Sequence, residues 1–452
     1  MRFPLPFKDL IPIDAVKQLS QLVAHPAWVT ALKDAAQKLG IKDQLPTANL
    51  QQALQQAGRW MESISEPWMQ NAQPGLNPGI NATGEFFSSR WCTHRMALEV
   101  IAMHGYIQSQ FAETNKLESQ LKHMLMGVTG APAALVLPNM SIALYLVALM
   151  KQSTENPSWV LPRMDCIRLP QAGCMPAGNL RTILDSVRAK VVEIGSTQDC
   201  TVVDFQESLR SANATLLLAS PNSASQESRI EHRQRAQAAA MESGATIIEI
   251  VIDGSINDLA ELGLPCRMLS DCWNKSTEFL IVPGDGLMGG PESGIVLGTK
   301  QAVEALQRLA DSLGWSASCA TKAMLLKTLQ TTETVEKWRT IPIGTALTTS
   351  VENLENRSRR LETQLGACSE IDRIVVLRKS VRIGAGVWAF TKLDSSVLQL
   401  FPKSMTPSAY AEKLSMCRTP IWGNVQSDHV ELVMRSVEPD EDRQIVQLLT
   451  EG

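Results

Sequence analysis

No apolar run in this chain of 452 residues is long and unbroken enough to cross a bilayer. The most apolar stretch, residues 131–150, is interrupted by Pro132, Pro138, Asn139 and Ser141, which predicts a buried strand, a turn and a buried helix. Residues 1–10 carry Pro4, Pro6, Lys8 and Asp9 and do not read as a signal peptide. No sign of charge dominates: 42 Lys and Arg face 46 Asp and Glu, for a net charge of −4, so no global field draws the chain to nucleic acid or anionic lipid. The nine cysteines are odd in number and scattered, with no Cys-x-x-Cys pair, which argues against a disulfide framework and a structural zinc site. They read as reduced thiols of a cytoplasmic protein. The six histidines include one near-neighbour of a cysteine, His94 beside Cys92, and that pair reads as structural. Gly289, Gly290 and Gly294 lack the spacing and the strand–helix context of a dinucleotide fingerprint.

What is present divides into three parts. Residues 1–72 read as helical, with Ile13, Val16, Leu19 and Leu22 at helical spacing, and Pro74, Gly75 and Pro78 mark a linker. Residues 73–340 alternate short apolar runs with helical segments. Strands are expected at 134–137, 159–161, 191–194, 215–219, 246–252, 279–282 and 295–297, and helices at 301–313 and 320–338. That alternation predicts an α/β domain with a mostly parallel sheet. Residues 341–452 predict a small α+β domain. Its strands are expected near 374–377, 387–391 and 430–434, and its helices near 351–365, 407–416 and 439–449.

The most specific segment is 284–298, Gly-Asp-Gly-Leu-Met-Gly-Gly-Pro-Glu-Ser-Gly-Ile-Val-Leu-Gly. It resembles the lysine-bearing loop of the selenocysteine synthases, the L-seryl-tRNA(Sec) selenium transferases that use pyridoxal phosphate (PLP). Ile80-Asn81-Ala82-Thr83-Gly84 is similar to that family's Ile-Asn-x-Thr-Gly, and Gly254-Ser255-Ile256-Asn257-Asp258-Leu259 to its Gly-Ser-x-x-Asp-Leu. Residues 117–131, ending Val-Thr-Gly-Ala, and the Val-Glu-Ile-Gly of 192–195 resemble two further family segments. The resemblance runs over roughly residues 79–450. It implies the fold-type-I PLP-dependent transferase architecture, similar to aspartate aminotransferase: a large α/β domain, a helical N-terminal segment and a small C-terminal α+β domain.

At the positions where the resemblance implies chemistry, this sequence departs. The Schiff-base lysine position is Gly286, which has no amine. The position of the aspartate that pairs with the pyridine nitrogen is Ile250. Glu249 and Asp253 are neighbours; strand alternation turns Glu249 to the opposite face, and Asp253 could approach from the strand's end. Of the other lysines, Lys275 and Lys300 read as solvated charges and Lys322 as an inherited residue rather than a recruited Schiff base. The family's basic and histidine-containing runs match Ser88 to Thr93, Asn115 to Ser119, Gly173 to Pro176 and Ala219 to Ala224, where anion-binding groups are mostly missing. Cys174 in the turn is a thiol with no His or Asp near it in sequence.

A remnant of an anion site stays in view. Asn139, Met140 and Ser141 stand where the family's phosphate-binding turn opens a helix, Arg163 matches an arginine after a sheet strand, and Asp285 precedes Gly286. Asn139 and Ser141 read equally as ordinary helix caps. Two readings of function follow. One is a selenocysteine-synthase-like homologue without Schiff-base catalysis, serving binding, assembly or regulation as a homo-oligomer or beside an active paralogous subunit. The alternative is an enzyme of the selenium transferase type, or a related transferase or lyase with altered chemistry, with PLP as the cofactor implied by resemblance. A role in tRNA binding has little electrostatic support, since residues 1–72 hold seven Lys/Arg against six Asp/Glu.

Overall fold

Buried strands rich in Val, Ile and Leu form the central layer of the protein. The computed structural model describes residues 78–88, 95–108, 114–169, 179–211, 213–219, 226–264, 266–274, 277–385, 388 and 391–450. The expected N-terminal helices within 1–72 lie outside the described residues. Two compact units are distinguished. In the first, the helix Leu98–Gln108 is described. The second comprises Pro78–Ala97 and Glu113–Gly452 and holds everything discussed below.

In chain order, the first strands of that unit are β1 (Ile80–Asn81), β2 (Ala133–Leu137), β3 (Ser158–Pro162), β4 (Lys190–Ile194) and β5 (Ala214–Leu218). They continue with β6 (Thr246–Ile250), β7 (Gly254–Ser255), β8 (Arg267–Met268), β9 (Thr277–Pro283) and β10 (Gly294–Gly298). Seven of them form one sheet in the order β2-β10-β9-β6-β5-β3-β4. Its pairings are parallel except those of β10, which runs antiparallel to both β2 and β9. Each of the seven expected strands is found, extended by one or two residues or trimmed at an end. Strands β5 and β10 are buried along their whole length, as a sheet covered on both faces requires. The helices Thr114–Thr129 and Cys319–Thr331 pack on one another and contribute Leu121, Leu125, Leu325 and Leu329 to a core shared with Val251, Leu280 and Ile295.

The C-terminal strands are β11 (Ile371–Arg382), β12 (Lys392–Pro402), β13 (Ile421–Trp422), β14 (Asn424–Val425) and β15 (Val430–Val433). Four of these form an antiparallel sheet, β11-β12-β15-β14, backed by helices Val351–Leu365, Pro407–Ser415 and Glu441–Thr450. Strand β1 pairs in parallel with β13 and ties the start of the unit to its end.

Two expectations are corrected. The strand expected at 387–391 is displaced: the second long strand begins at Lys392. Trp388 instead stacks on Phe87 with ring centroids 4.5 Å apart, and Gly384 sits so close to the Phe87 carbonyl, 2.5 Å from a built Cβ, that only glycine fits. Of the expected strand only Trp388 and Thr391 are described, and neither lies in a strand. The single helix expected over 320–338 is two, Cys319–Thr331 and Val335–Trp338. Thr332 returns its hydroxyl to the Thr328 carbonyl, and Thr334 caps the second helix by accepting from Lys337 N.

Candidate functional site

The loop between β9 and β10 is held closed by its own backbone. Gly284 N donates to Ser293 O at 2.9 Å, Gly290 N donates to Gly284 O, and a 3₁₀ turn spans Gly286–Met288. Trp338 Nε1 donates to the Leu287 carbonyl at 2.7 Å and anchors the turn from outside. The glycines have separate causes. At Gly294 a Cβ would lie 2.4 Å from the Asn139 carbonyl, so β10 passes flush against the start of helix Met140–Thr154. At Gly286 the cause is the backbone, with φ +44, and the space is open: a Cβ would meet only Pro283 Cγ at 3.6 Å and Ile252 O at 3.9 Å.

That contact brings position 286 to Ile252, two residues past Ile250 at the end of β6. Ile250 is fully buried and pairs in register with Ile281 of β9. Its neighbour Glu249 points elsewhere, as alternation requires. It is buried and held by Arg233 at 2.8 Å and Arg267 at 2.6 Å. Asp253 is engaged by Arg267 at 3.1 Å and by Arg229 at 3.5 Å. Three guanidiniums and two carboxylates thus form one nearly buried network against helix Gln226–Ser243. Burial opposes the Arg267 charge, but Asp253 and Glu249 outweigh it and push its pKa up; burial pulls Arg229 down. Beside the network, His232 Nε2 and Asp165 Oδ2 are 3.0 Å apart with both residues buried, and burial raises the Asp165 carboxyl. Sequence reasoning missed this cluster. Arg229, His232 and Arg233 do share one helix face, but Asp165 and Arg267 are distant in sequence.

The other candidates are placed as follows. Asn139 caps helix Met140–Thr154, its side chain accepting from Ile142 N at 2.9 Å. Met140 is buried and Ser141 half-buried at the same helix start. Arg163 is exposed and is spent on Gly195 O at 2.7 Å and Glu193 at 3.4 Å. Asp285 is half-buried beside Gly286, and burial together with Glu292 pushes its carboxyl up to about 7. Lys322 is bonded to Glu118 at 3.1 Å, and Lys300 is exposed at the start of helix Lys300–Leu313. Lys275, Cys92, His94 and Cys174 lie outside the described residues, as do Arg90 to Thr93, Gly173 to Pro176 and Pro221 to Ala224. No group of metal-ligating side chains occurs among the described residues, the seven cysteines described are free, and no described helix is long and apolar enough to cross a membrane.

The residues around Gly286 do not fit PLP held as the resemblance implies. Position 286 has no amine and position 250 presents a buried alkyl group. The two nearest carboxylates on β6 and its end are already committed to arginines. What remains is a capped helix start, the Ser141 hydroxyl and a carboxyl near neutrality at Asp285.

Comparison with known proteins agrees with this scaffold. The sequence profile of the family described as L-seryl-tRNA selenium transferase matches residues 106–438. The L-seryl-tRNA(Sec) selenium transferase of Hyphomonas neptunium is 24% identical over 382 residues, covering 81% of this chain and 80% of that protein. The protein of the same name from Haemophilus ducreyi is 23% identical over 459 residues, covering 96% and 97%. Among solved structures, a D-glucosaminate-6-phosphate ammonia-lyase superposes with a TM-score of 0.59 at 14% identity, over 83% of this chain and 96% of that one. That likeness bears on the fold alone, which is the fold-type-I PLP-enzyme architecture. With a profile match across most of its length and relatives aligned nearly end to end, the chain belongs to the L-seryl-tRNA selenium transferase family.

Proposed function

We propose that this chain is a family member that forms no Schiff base with PLP and acts through binding or assembly. The observation that carries the reading is the pair Gly286 and Ile250. Gly286 stands beside the Ile252 carbonyl, two residues past Ile250 at the end of β6, and these are the positions where the family resemblance calls for an amine and a carboxylate. Without the amine the cofactor has no covalent hold, and without the carboxylate its ring nitrogen has no partner that would keep it protonated. The role we assign is assembly as a homo-oligomer, or beside a catalytically complete paralogue. We assign the protein to the cytoplasm on its free thiols. We also keep the division into 1–72, 73–340 and 341–452 as the working domain plan.

The test is direct. Purified protein, incubated with PLP, is reduced with borohydride and mapped by peptide mass. The expected result is no visible cofactor band and no pyridoxyl peptide. A stoichiometric adduct on one lysine sinks the proposal.

A second reading, altered chemistry in the same cleft, draws on Asp285. A carboxyl with a pKa of about 7 exchanges a proton readily at neutral pH. It would serve a transferase or lyase reaction that needs an acid–base group rather than an amine. A pH–rate profile that loses its inflection near neutrality in Asp285→Asn would favour this reading over the first.

A further inference from the structure

A second concave surface lies away from the Gly286 loop. Helix Pro342–Thr348 separates the two. Its Ile343 touches Gly289, where a built Cβ would lie 3.1 Å from Ile343 Cγ2. Thr345 and Thr349 follow it by two and six positions, about 200° and 240° around a helical axis at 100° per residue, and so face the other way. There they line a cleft of about 680 Å³ with Asn353, Asn356, Arg360 and Arg435.

Asn353, Asn356 and Arg360 recur at intervals of three and four along helix Val351–Leu365 and therefore share a face. All three are exposed, and none of their side chains is hydrogen-bonded or ion-paired to a described residue. The three acids on that helix lie elsewhere: Glu355 pairs with Arg359 and Arg378, Glu352 with Arg378, and Glu362 follows Arg360 by two positions, about 200° around the axis. The floor carries a buried cation. Arg435, 6% exposed, donates Nη1 to the carbonyls of Ala346, Leu347 and Thr349 at 3.0–3.2 Å and Nε to the Asp394 carbonyl at 2.9 Å. Its hydrogen bonds are met by neutral carbonyls and by no carboxylate. Burial accordingly pulls its pKa down, with Asp394 opposing.

The remaining charges in the wall do not all cancel: Arg95, which faces Glu438, is hydrogen-bonded to Glu441, so Glu438 stays in the wall as a carboxylate. Arg357 is bidentate to Asp442 at 2.7 and 2.9 Å, and Glu438 faces Arg95 at 3.8 Å. Two positive charges, Arg360 and Arg435, have no carboxylate partner among the described residues and outnumber Glu438; two free amides stand beside them, while the Thr345 and Thr349 hydroxyls donate to the Arg339 and Thr345 carbonyls.

We propose that this cleft binds a small phosphorylated ligand, with its dianion at Arg360 and the amides of Asn353 and Asn356, over the buried Arg435. The surplus positive charge in the cleft favours a phosphate monoester. The free amides and the Arg360 guanidinium can donate to its oxygens, and the cavity has room for a group attached to the phosphate. The site is independent of the lost lysine, since it does not use the Gly286 loop.

The experiment titrates the full chain with inorganic phosphate in a phosphate- and sulfate-free buffer, followed by phosphorus NMR line width and by calorimetry. Saturable binding is expected in wild type. Arg360→Gln, an exposed change that leaves the fold intact, should weaken it about tenfold, as loss of a charge-assisted contact does, while Arg360→Lys should retain most of it. Thermal unfolding of each variant confirms that it is folded. No saturation at phosphate concentrations on the order of 10 mM overturns the proposal. So does binding unchanged in Arg360→Gln, or binding that survives Arg360→Gln and is lost in Ser141→Ala, which would put the phosphate at the start of helix Met140–Thr154.

Discussion

Gly286 faces the carbonyl of Ile252. A Cβ built at position 286 would stand 3.9 Å from that oxygen and 3.6 Å from Pro283 Cγ, both ordinary contacts. The glycine is thus not enforced by crowding. Its only constraint is the positive φ of +44, a conformation that a residue with a side chain adopts at a cost of about 1–2 kcal/mol. Gly286→Lys is therefore expected to fold, with urea unfolding showing a loss near that figure. A loss above roughly 4 kcal/mol would mean that the loop repacks around the side chain and that the space is not there.

Asp285 makes stability depend on pH in a direction opposite to most carboxylates. Its folded pKa, about 7, lies above the ordinary 3.8. The stability it contributes is present below the unfolded pKa and is lost as pH rises toward 7, because the buried carboxyl must then ionise or deprotonate at a cost. The shift corresponds to a difference on the order of 4 kcal/mol. Asp285→Asn, which keeps the shape and removes the titration, should be more stable than wild type at pH 8, and that gain should vanish near pH 4. Urea unfolding of both proteins at the two pH values checks this; an equal difference at both would remove Asp285 as the cause.

Glu249 bridges two arginines, Arg233 and Arg267, in a nearly buried position. Removing one charge from such a network leaves its partners uncompensated, at about 3–5 kcal/mol. Glu249→Gln should lower the unfolding free energy by that amount without changing the oligomeric state. A loss under roughly 1 kcal/mol would show that Asp253 alone satisfies Arg267.

The assembly proposal has its own measurement. Light scattering at micromolar concentration is expected to give at least a dimeric mass for the full chain. A monomer would remove the assembly reading.

The strands of the large sheet were legible because each is a short apolar run and all but the edge strand β4 are largely buried, which leaves little ambiguity. The small sheet was less so. The first five residues of strand β12 are Lys392, Leu393, Asp394, Ser395 and Ser396, and Ser395 and Ser396 are buried, with the Ser396 hydroxyl 2.6 Å from that of Ser358. Buried polar residues paired across elements carry no apolar signal, so the expected strand slid back onto the apolar residues before Lys392. Gly286 and Ile250 could be read from the loop and strand patterns, since both sit in runs whose flanks are specific. The arginine network and the Arg435 floor could not. Their partners are backbone carbonyls or residues far along the chain, and nothing in local spacing marks an arginine that caps three carbonyls of another helix.

Restoring the missing groups tests the scaffold itself. Ile250→Asp places a carboxylate at a fully buried site beside Ile281, and an unpaired buried charge there costs several kcal/mol. The single variant should therefore be strongly destabilised and indifferent to PLP. Gly286→Lys should acquire a reducible adduct with PLP but hold it weakly, since the ring nitrogen would face an isoleucine. In the double variant each group supplies what the other lacks: the lysine fixes the ring and the ring nitrogen neutralises the aspartate. PLP should then raise the melting temperature of the double variant by more than the sum of its effects on the two singles, a coupling that double-mutant comparison isolates. The visible band and the thermal shift should saturate together. A double variant that PLP neither colours nor stabilises would mean that the cleft has been rebuilt beyond these two residues. Seryl-tRNA conversion by the unmodified chain would mean that another group supplies the amine.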